Sequence, residues 1–268
     1  MRENIKRDCS RVSTILLINI LIMSAILSYT SGWIQITGYV FEVVLVYFAI
    51  CRRGEIENSK LVTYKFDTNL IFIIIAFIML AAVFSVLSVQ YEKVLNYYGY
   101  TAGYTDFHKF QIADIVIYGI VVPVAEEMVY RLFIFDHFIK YGTEFAAFST
   151  SFLFAVLHFN FVQIIYAFIS GILLAYVRQY YSVLHGLVIH IVNNMILVYL
   201  FLIMNISIKS AVIVFTILFL LVKIKKVKNI ICKIDYKIMR IHDFFMSRGI
   251  IVITIFSIVM GIMEIKKI

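Results

Sequence analysis

The chain is a succession of apolar runs, each about as long as a bilayer core is thick, joined by short polar links. A helix needs roughly 20 consecutive apolar residues to cross hydrocarbon. Runs of that kind fall at about 13–31, 33–51, 69–90, 112–139, 145–160, 162–177, 183–203, 208–222 and 249–264. With 63% hydrophobic and only 15% charged residues, far from the balance of a soluble domain, the fold class expected is all-α: a polytopic transmembrane helix bundle of about eight or nine spans. Residues 1–268 are expected to form a single integral membrane domain. The longest polar segment, about Lys223 to Arg248, is a basic linker too short to build a core of its own. The first run follows Arg2, Lys6, Arg7 and Arg11 without a small-residue cleavage site, and so predicts a retained span rather than a signal peptide.

Basic residues predict the orientation. With the N-terminus cytoplasmic, the inner segments carry 18 of the 24 Lys and Arg, while Lys93, Lys109, Lys209, Lys266 and Lys267 lie outside and Arg131 is intramembrane. That asymmetry satisfies the positive-inside rule and predicts a multi-pass protein of the cell membrane. The net charge of +8 then reflects topology and attraction to anionic headgroups of the lipid bilayer, and no nucleic acid partner is expected. Cys9, Cys51 and Cys232 all fall on the inner side, where no disulfide is expected, and their spacing matches no metal motif.

Within the run 112–139, Glu126 and Glu127 stand side by side with Arg131 close behind. An ionisable residue at membrane depth costs on the order of 3 kcal/mol, so it faces a protein interior or a wet cavity and marks a function. Residues four apart are neighbours on a helix, which sets Glu127 beside Arg131 as the charge pair and leaves Glu126 as the candidate proton acceptor. Pro123, the one proline, removes a backbone donor just before the pair and predicts a kink. Two later runs bring His158, His190 and Asn194 to a similar depth, with His190 and Asn194 four apart on one face. Glu42, in the second run, has no partner visible in the sequence. His137 and His185 lie near inner membrane edges, where a solvated imidazole is the simpler reading.

Glu126-Glu127-Met128-Val129-Tyr130-Arg131, Phe154-Ala155-Val156-Leu157-His158 and His190-Ile191-Val192-Asn193-Asn194, in this order on successive spans, resemble the three motifs of the CPBP family. That family includes the type II CAAX prenyl endopeptidases and bacterial bacteriocin-processing and self-immunity proteins. The resemblance covers a core of about residues 112–203. It implies an intramembrane glutamic endopeptidase without cofactor or metal. Glu126 would activate water and His158 would help hold it. His190 and Asn194 would stabilise the oxyanion, and Glu127 and Arg131 would shape the pocket. Tyr130 stands where phenylalanine is usual, and Leu132 where glycine often follows the arginine; neither replaces a reacting group.

Three other readings use the same residues. Glu126, His158 and His190 could hold Zn²⁺ with a water, although no HExxH spacing is present. The bundle could instead be a non-catalytic binding or immunity protein, or a transporter using its carboxylates as a proton relay, against which stands the lack of repeats and paired broken helices. The substrate expected is a small peptide or a segment of a membrane protein. The oligomeric state is not legible in the sequence.

Overall fold

The computed structural model describes residues 2–51, 67–102, 112–203, 214 and 238–268. These form α1 (Arg2–Tyr29), α2 (Gln35–Ile50, entered through the 3-10 turn Gly32–Ile34), α3 (Thr68–Tyr97) and α4, an interrupted helix over 112–141. There follow α5 (Thr143–Val156), α6 (Phe161–Tyr180), α7 (Val183–Ile203), α8 (Ile238–Phe245) and α9 (Arg248–Met263). The architecture is all-α. By length and composition α1, Gly32–Ile50, α3 and α6 can each cross a bilayer, and α5, the first part of α7 and α9 are shorter apolar helices. The expected span at 208–222, the body of the basic linker and Cys232 lie outside the described residues.

The first helix starts earlier than hydropathy predicts. Ile5, Cys9, Val12 and Leu16 recur at helical spacing and are at most 1% exposed, so the polar end of α1 is drawn into the core rather than trailing before the span. Polar contacts hold it there. Tyr141 Oη donates to Asp8 Oδ2 at 2.8 Å, Lys140 Nζ lies 2.7 Å from the same oxygen, and Ser10 Oγ meets Ser247 Oγ at 2.9 Å. His137, expected to be solvated, is instead buried, with Nε2 3.5 Å from Asp8 Oδ2. At the same end Asp67 caps α3 by accepting from Asn69 N and Leu70 N, and takes the Tyr181 hydroxyl at 2.6 Å. His185, likewise expected in solvent, meets Ser182 Oγ at 2.8 Å.

The opposite end carries a feature hydropathy does not announce. Tyr100–Thr101 (β1) pairs antiparallel with Lys266–Lys267 (β2), tying the exit of α3 to the exit of α9. Buried Glu92 anchors this bracket by accepting from Thr101 Oγ1 and, at 3.2 Å, from Ala102 N.

The helix bearing the acidic pair is not regular. Residues Ile117–Val121 and Glu127–Ile134 are π-helical, flanking an α-helical turn Val122–Glu126 that has Pro123 in its first turn. Where the proline predicts a kink, the hydrogen-bond register changes on either side of Val122–Glu126, a device found often at functional sites. Beside it α5 and α6 pack closely through small residues. A Cβ built on Gly171 would sit 3.0 Å from Ser151 Cβ and 3.1 Å from Ser151 Cα, so only glycine lets the two backbones approach this far.

Candidate active site

Glu127 is almost wholly enclosed, its side chain 1% exposed, and Arg131 is 0% exposed. Arg131 Nε lies 3.7 Å from Glu127 Oε1, the i to i+4 pair expected from spacing, although this stretch is π-helical rather than α-helical. The guanidinium is held by more than the carboxylate. Its Nη2 donates to Gly171 O at 3.4 Å, which the close α5–α6 packing makes reachable, and its Cζ lies 4.6 Å from the centroid of the Phe154 ring. The other oxygen of Glu127 faces α7, where a Cβ on Gly186 would stand only 3.1 Å away.

His190 joins the two carboxylates. Its Nδ1 lies 3.0 Å from Glu127 Oε1 and its Nε2 3.5 Å from Glu126 Oε2. The shorter contact favours the tautomer with the proton on Nδ1, donated to Glu127, which turns Nε2 towards Glu126. Glu126 is the more open of the pair, with 22% of its side chain exposed against 1% for Glu127. One carboxylate is therefore fixed by a histidine and an arginine, and its neighbour is the less enclosed of the two.

His158 was expected within the span at about 145–160. It lies instead in the turn after α5, which ends at Val156, and the next residue, Phe159, takes a φ of 54°. His158 Nδ1 is engaged with Phe154 O at 2.8 Å, and its ring lies edge-on to Phe154 with centroids 4.7 Å apart. Its Nε2 is the ring nitrogen that takes no part in that bond. Asn160 begins α6 two residues later by accepting from Val162 N and Gln163 N, both at 3.1 Å.

Asn194 Nδ2 donates to Tyr118 O at 3.2 Å, which brings α7 against the first π-helical segment of α4. Glu126, Glu127, Arg131 and His190 thus form one connected cluster, His158 joins it through the Phe154 ring, and Asn194 lies one turn beyond His190 on α7, against Tyr118 O.

Several contributors were not foreseen. Phe154 is a hub: Tyr130, His158 and His190 lie around its ring at centroid distances of 5.2, 4.7 and 6.0 Å, with Arg131 over its face. Its place in the second motif was the available signal. Asn193, adjacent to Asn194, donates to Tyr166 Oη at 2.5 Å and to Asn194 Oδ1 at 3.4 Å. Glu42, without a visible partner in the sequence, accepts from Asn19 Nδ2 at 3.0 Å, and lies within electrostatic range of Glu126. Among the described residues, no three His, Cys, Asp or Glu side chains converge closely enough to hold a metal ion.

The family model described as Type II CAAX prenyl endopeptidase Rce1-like matches residues 108–196, about a third of the chain and the part that carries every residue of the site. No curated protein and no solved structure matches the chain. The match spans all three motifs and supports their resemblance to the CPBP family, and with the apolar helices it supports a membrane hydrolase of the CAAX-protease type.

Proposed function

We propose that the protein is an intramembrane endopeptidase that hydrolyses a peptide bond with a water activated by Glu126. The observation that carries this reading is the inequality within the acidic pair. Glu127 is enclosed and committed to His190 and Arg131, while Glu126 keeps one contact, 3.5 Å from His190, and an open side. A general base must reach a water and hold a proton through the tetrahedral intermediate; of the two, only Glu126 has the room. His158 Nε2 would hold the attacking water, and Asn194, with His190 behind it, would face the oxygen on which negative charge develops. Glu127 and Arg131 act through His190, keeping its imidazole aimed at Glu126.

The substrate is a small peptide or a segment of a membrane-associated protein, reached from the basic, cytoplasmic end of the bundle. Neither the site nor the family match supports a bacteriocin-immunity role.

Purified full-length protein in nanodiscs, given farnesylated and unprenylated peptides, tests the chemistry. Glu126→Gln keeps the volume and removes the proton-accepting oxygen, and should lower the rate by about 100- to 10,000-fold, the usual contribution of a general base. A folded Glu126→Gln protein that cleaves at the wild-type rate would refute the assignment. The same preparation treated with a strong chelator should keep its activity; zinc-dependent loss and return would replace the glutamic mechanism with a metal one.

A further inference from the structure

Tyr118 lies in the π-helical segment Ile117–Val121, where each backbone N–H reaches back five residues; Val122 N–H accordingly donates to Ile117 O. In that register the donor for Tyr118 O would come from residue 123. Residue 123 is proline and has no N–H to give. The position is taken by Asn194 Nδ2 at 3.2 Å, from a different helix. On its other side Asn194 Oδ1 receives Asn193 Nδ2 at 3.4 Å, and the second hydrogen of that Asn193 amide goes to Tyr166 Oη at 2.5 Å. Asn193 and Tyr166 are buried, 6% and 9% exposed, and Tyr166 packs on Phe84 of α3 with centroids 4.6 Å apart, so this side of the chain has a firm base.

A primary amide has two N–H donors and one carbonyl. Tyr118 O holds one donor of Asn194 and Asn193 holds its carbonyl, which fixes both the plane of the amide and the sense of its O and N. One N–H remains. We propose that Pro123 and Asn193 are positioning residues for Asn194: the Tyr118 carbonyl, to which residue 123 offers no N–H, and the amide of Asn193 hold the Asn194 side chain in one orientation and keep its remaining N–H available to a substrate oxygen. An oxyanion donor is effective when it is already oriented as charge develops, and this lock supplies the orientation. Its catalytic purpose rests on the reading of Asn194 as the oxyanion donor; its existence does not.

The test is a pair of double-mutant cycles on the full chain in nanodiscs, Pro123→Ala with Asn194→Ala and Asn193→Ala with Asn194→Ala, read in both kcat and Tm. A misdirected catalytic group costs about 10- to 100-fold in rate. Pro123→Ala and Asn193→Ala should each lower kcat by about that factor with KM unchanged, and neither should lower it further once Asn194 is alanine. The Tm loss caused by Asn194→Ala should shrink when Pro123 is alanine, because the restored N–H serves Tyr118 O. Tm losses that simply add would overturn the lock. Coupled Tm losses with a kcat indifferent to Asn194→Ala would keep the lock and refute the oxyanion role. Should Pro123→Ala fail to fold, Asn193→Ala and Tyr166→Phe carry the same cycle, with additive losses again overturning the proposal.

Discussion

Arg131→Met isolates what the buried charge cluster contributes. The guanidinium is 0% exposed and its partner Glu127 1%, so neither charge is screened by water. Removing one member of a buried pair typically costs about 3–5 kcal/mol, because the other charge is left without compensation. Here Glu127 would keep His190 Nδ1 at 3.0 Å, which favours the lower end of that range. Against this, loss of the contact with the Phe154 face at 4.6 Å adds about 1–2 kcal/mol, and loss of the long bond to Gly171 O at 3.4 Å adds little. Methionine fills most of the volume, so no large cavity forms. The expected cost is about 4 kcal/mol.

For a chain of this size each kcal/mol moves the melting temperature by about 2–4 °C, so Arg131→Met should lower it by about 8–16 °C. Thermal unfolding in nanodiscs followed by far-ultraviolet circular dichroism measures this directly. The reasoning is about charge rather than shape, so it makes a second demand. Glu127→Gln removes the orphaned charge, and the Glu127→Gln/Arg131→Met double variant should melt higher than Arg131→Met alone, against the ordinary expectation that two core changes are worse than one. An Arg131→Met protein that melts within about 2 °C of wild type, a shift of about 1 kcal/mol or less, or a double variant that loses the full sum, would refute the account of the cluster.

Gly171→Ala should cost about 1–3 kcal/mol by overpacking, since its new methyl would meet the Ser151 backbone and side chain at 3.0–3.1 Å; it should also reduce kcat by moving Gly171 O away from Arg131, and an unchanged melting temperature would show that α5 and α6 yield freely. Cys51, partly exposed at the end of α2, reports orientation: in a Cys232→Ser background an impermeant thiol reagent should leave it unlabelled in intact cells and label it in inside-out vesicles. The reverse pattern would invert the topology. Cys9, at 0% exposure, should stay unlabelled on both sides while the protein is folded.

How far this arrangement was legible follows from the range of each interaction. The helices were readable because hydropathy is a local property, and Glu127 with Arg131 because four residues separate them. Hydropathy starts the first span only at about residue 13, because the basic residues before it lower the local average, although Ile5, Cys9, Val12 and Leu16 already mark a helical stripe. Partners between helices carry no such local signal. Asn19 and Glu42 are 23 residues apart and His190 and Glu127 are 63 apart, distances over which sequence spacing says nothing about contact. Asn193 escaped for the opposite reason. It is next to Asn194, and neighbours on a regular helix point to different faces, yet an amide is long enough to reach sideways to the next side chain.

The adjacency of Glu126 and Glu127 gains a physical reason once the site is built. Two carboxylates one residue apart diverge around the helix axis, so a single imidazole can meet both only by using both of its nitrogens, and His190 does so with contacts of 3.0 and 3.5 Å. The contact with Glu127 is the one that must not move. That carboxylate is held by Arg131, Arg131 is held by Phe154 and the Gly171 carbonyl, and Gly171 reaches it because Ser151 is small. A histidine so anchored presents its second nitrogen to Glu126 in a fixed direction, and in the proposed mechanism Glu126 would exchange its proton with water beside an imidazole that stays in place. The family resemblance assigns Glu127 and Arg131 to the shape of the pocket; the contacts add that they immobilise the imidazole beside Glu126, the base of the proposed mechanism.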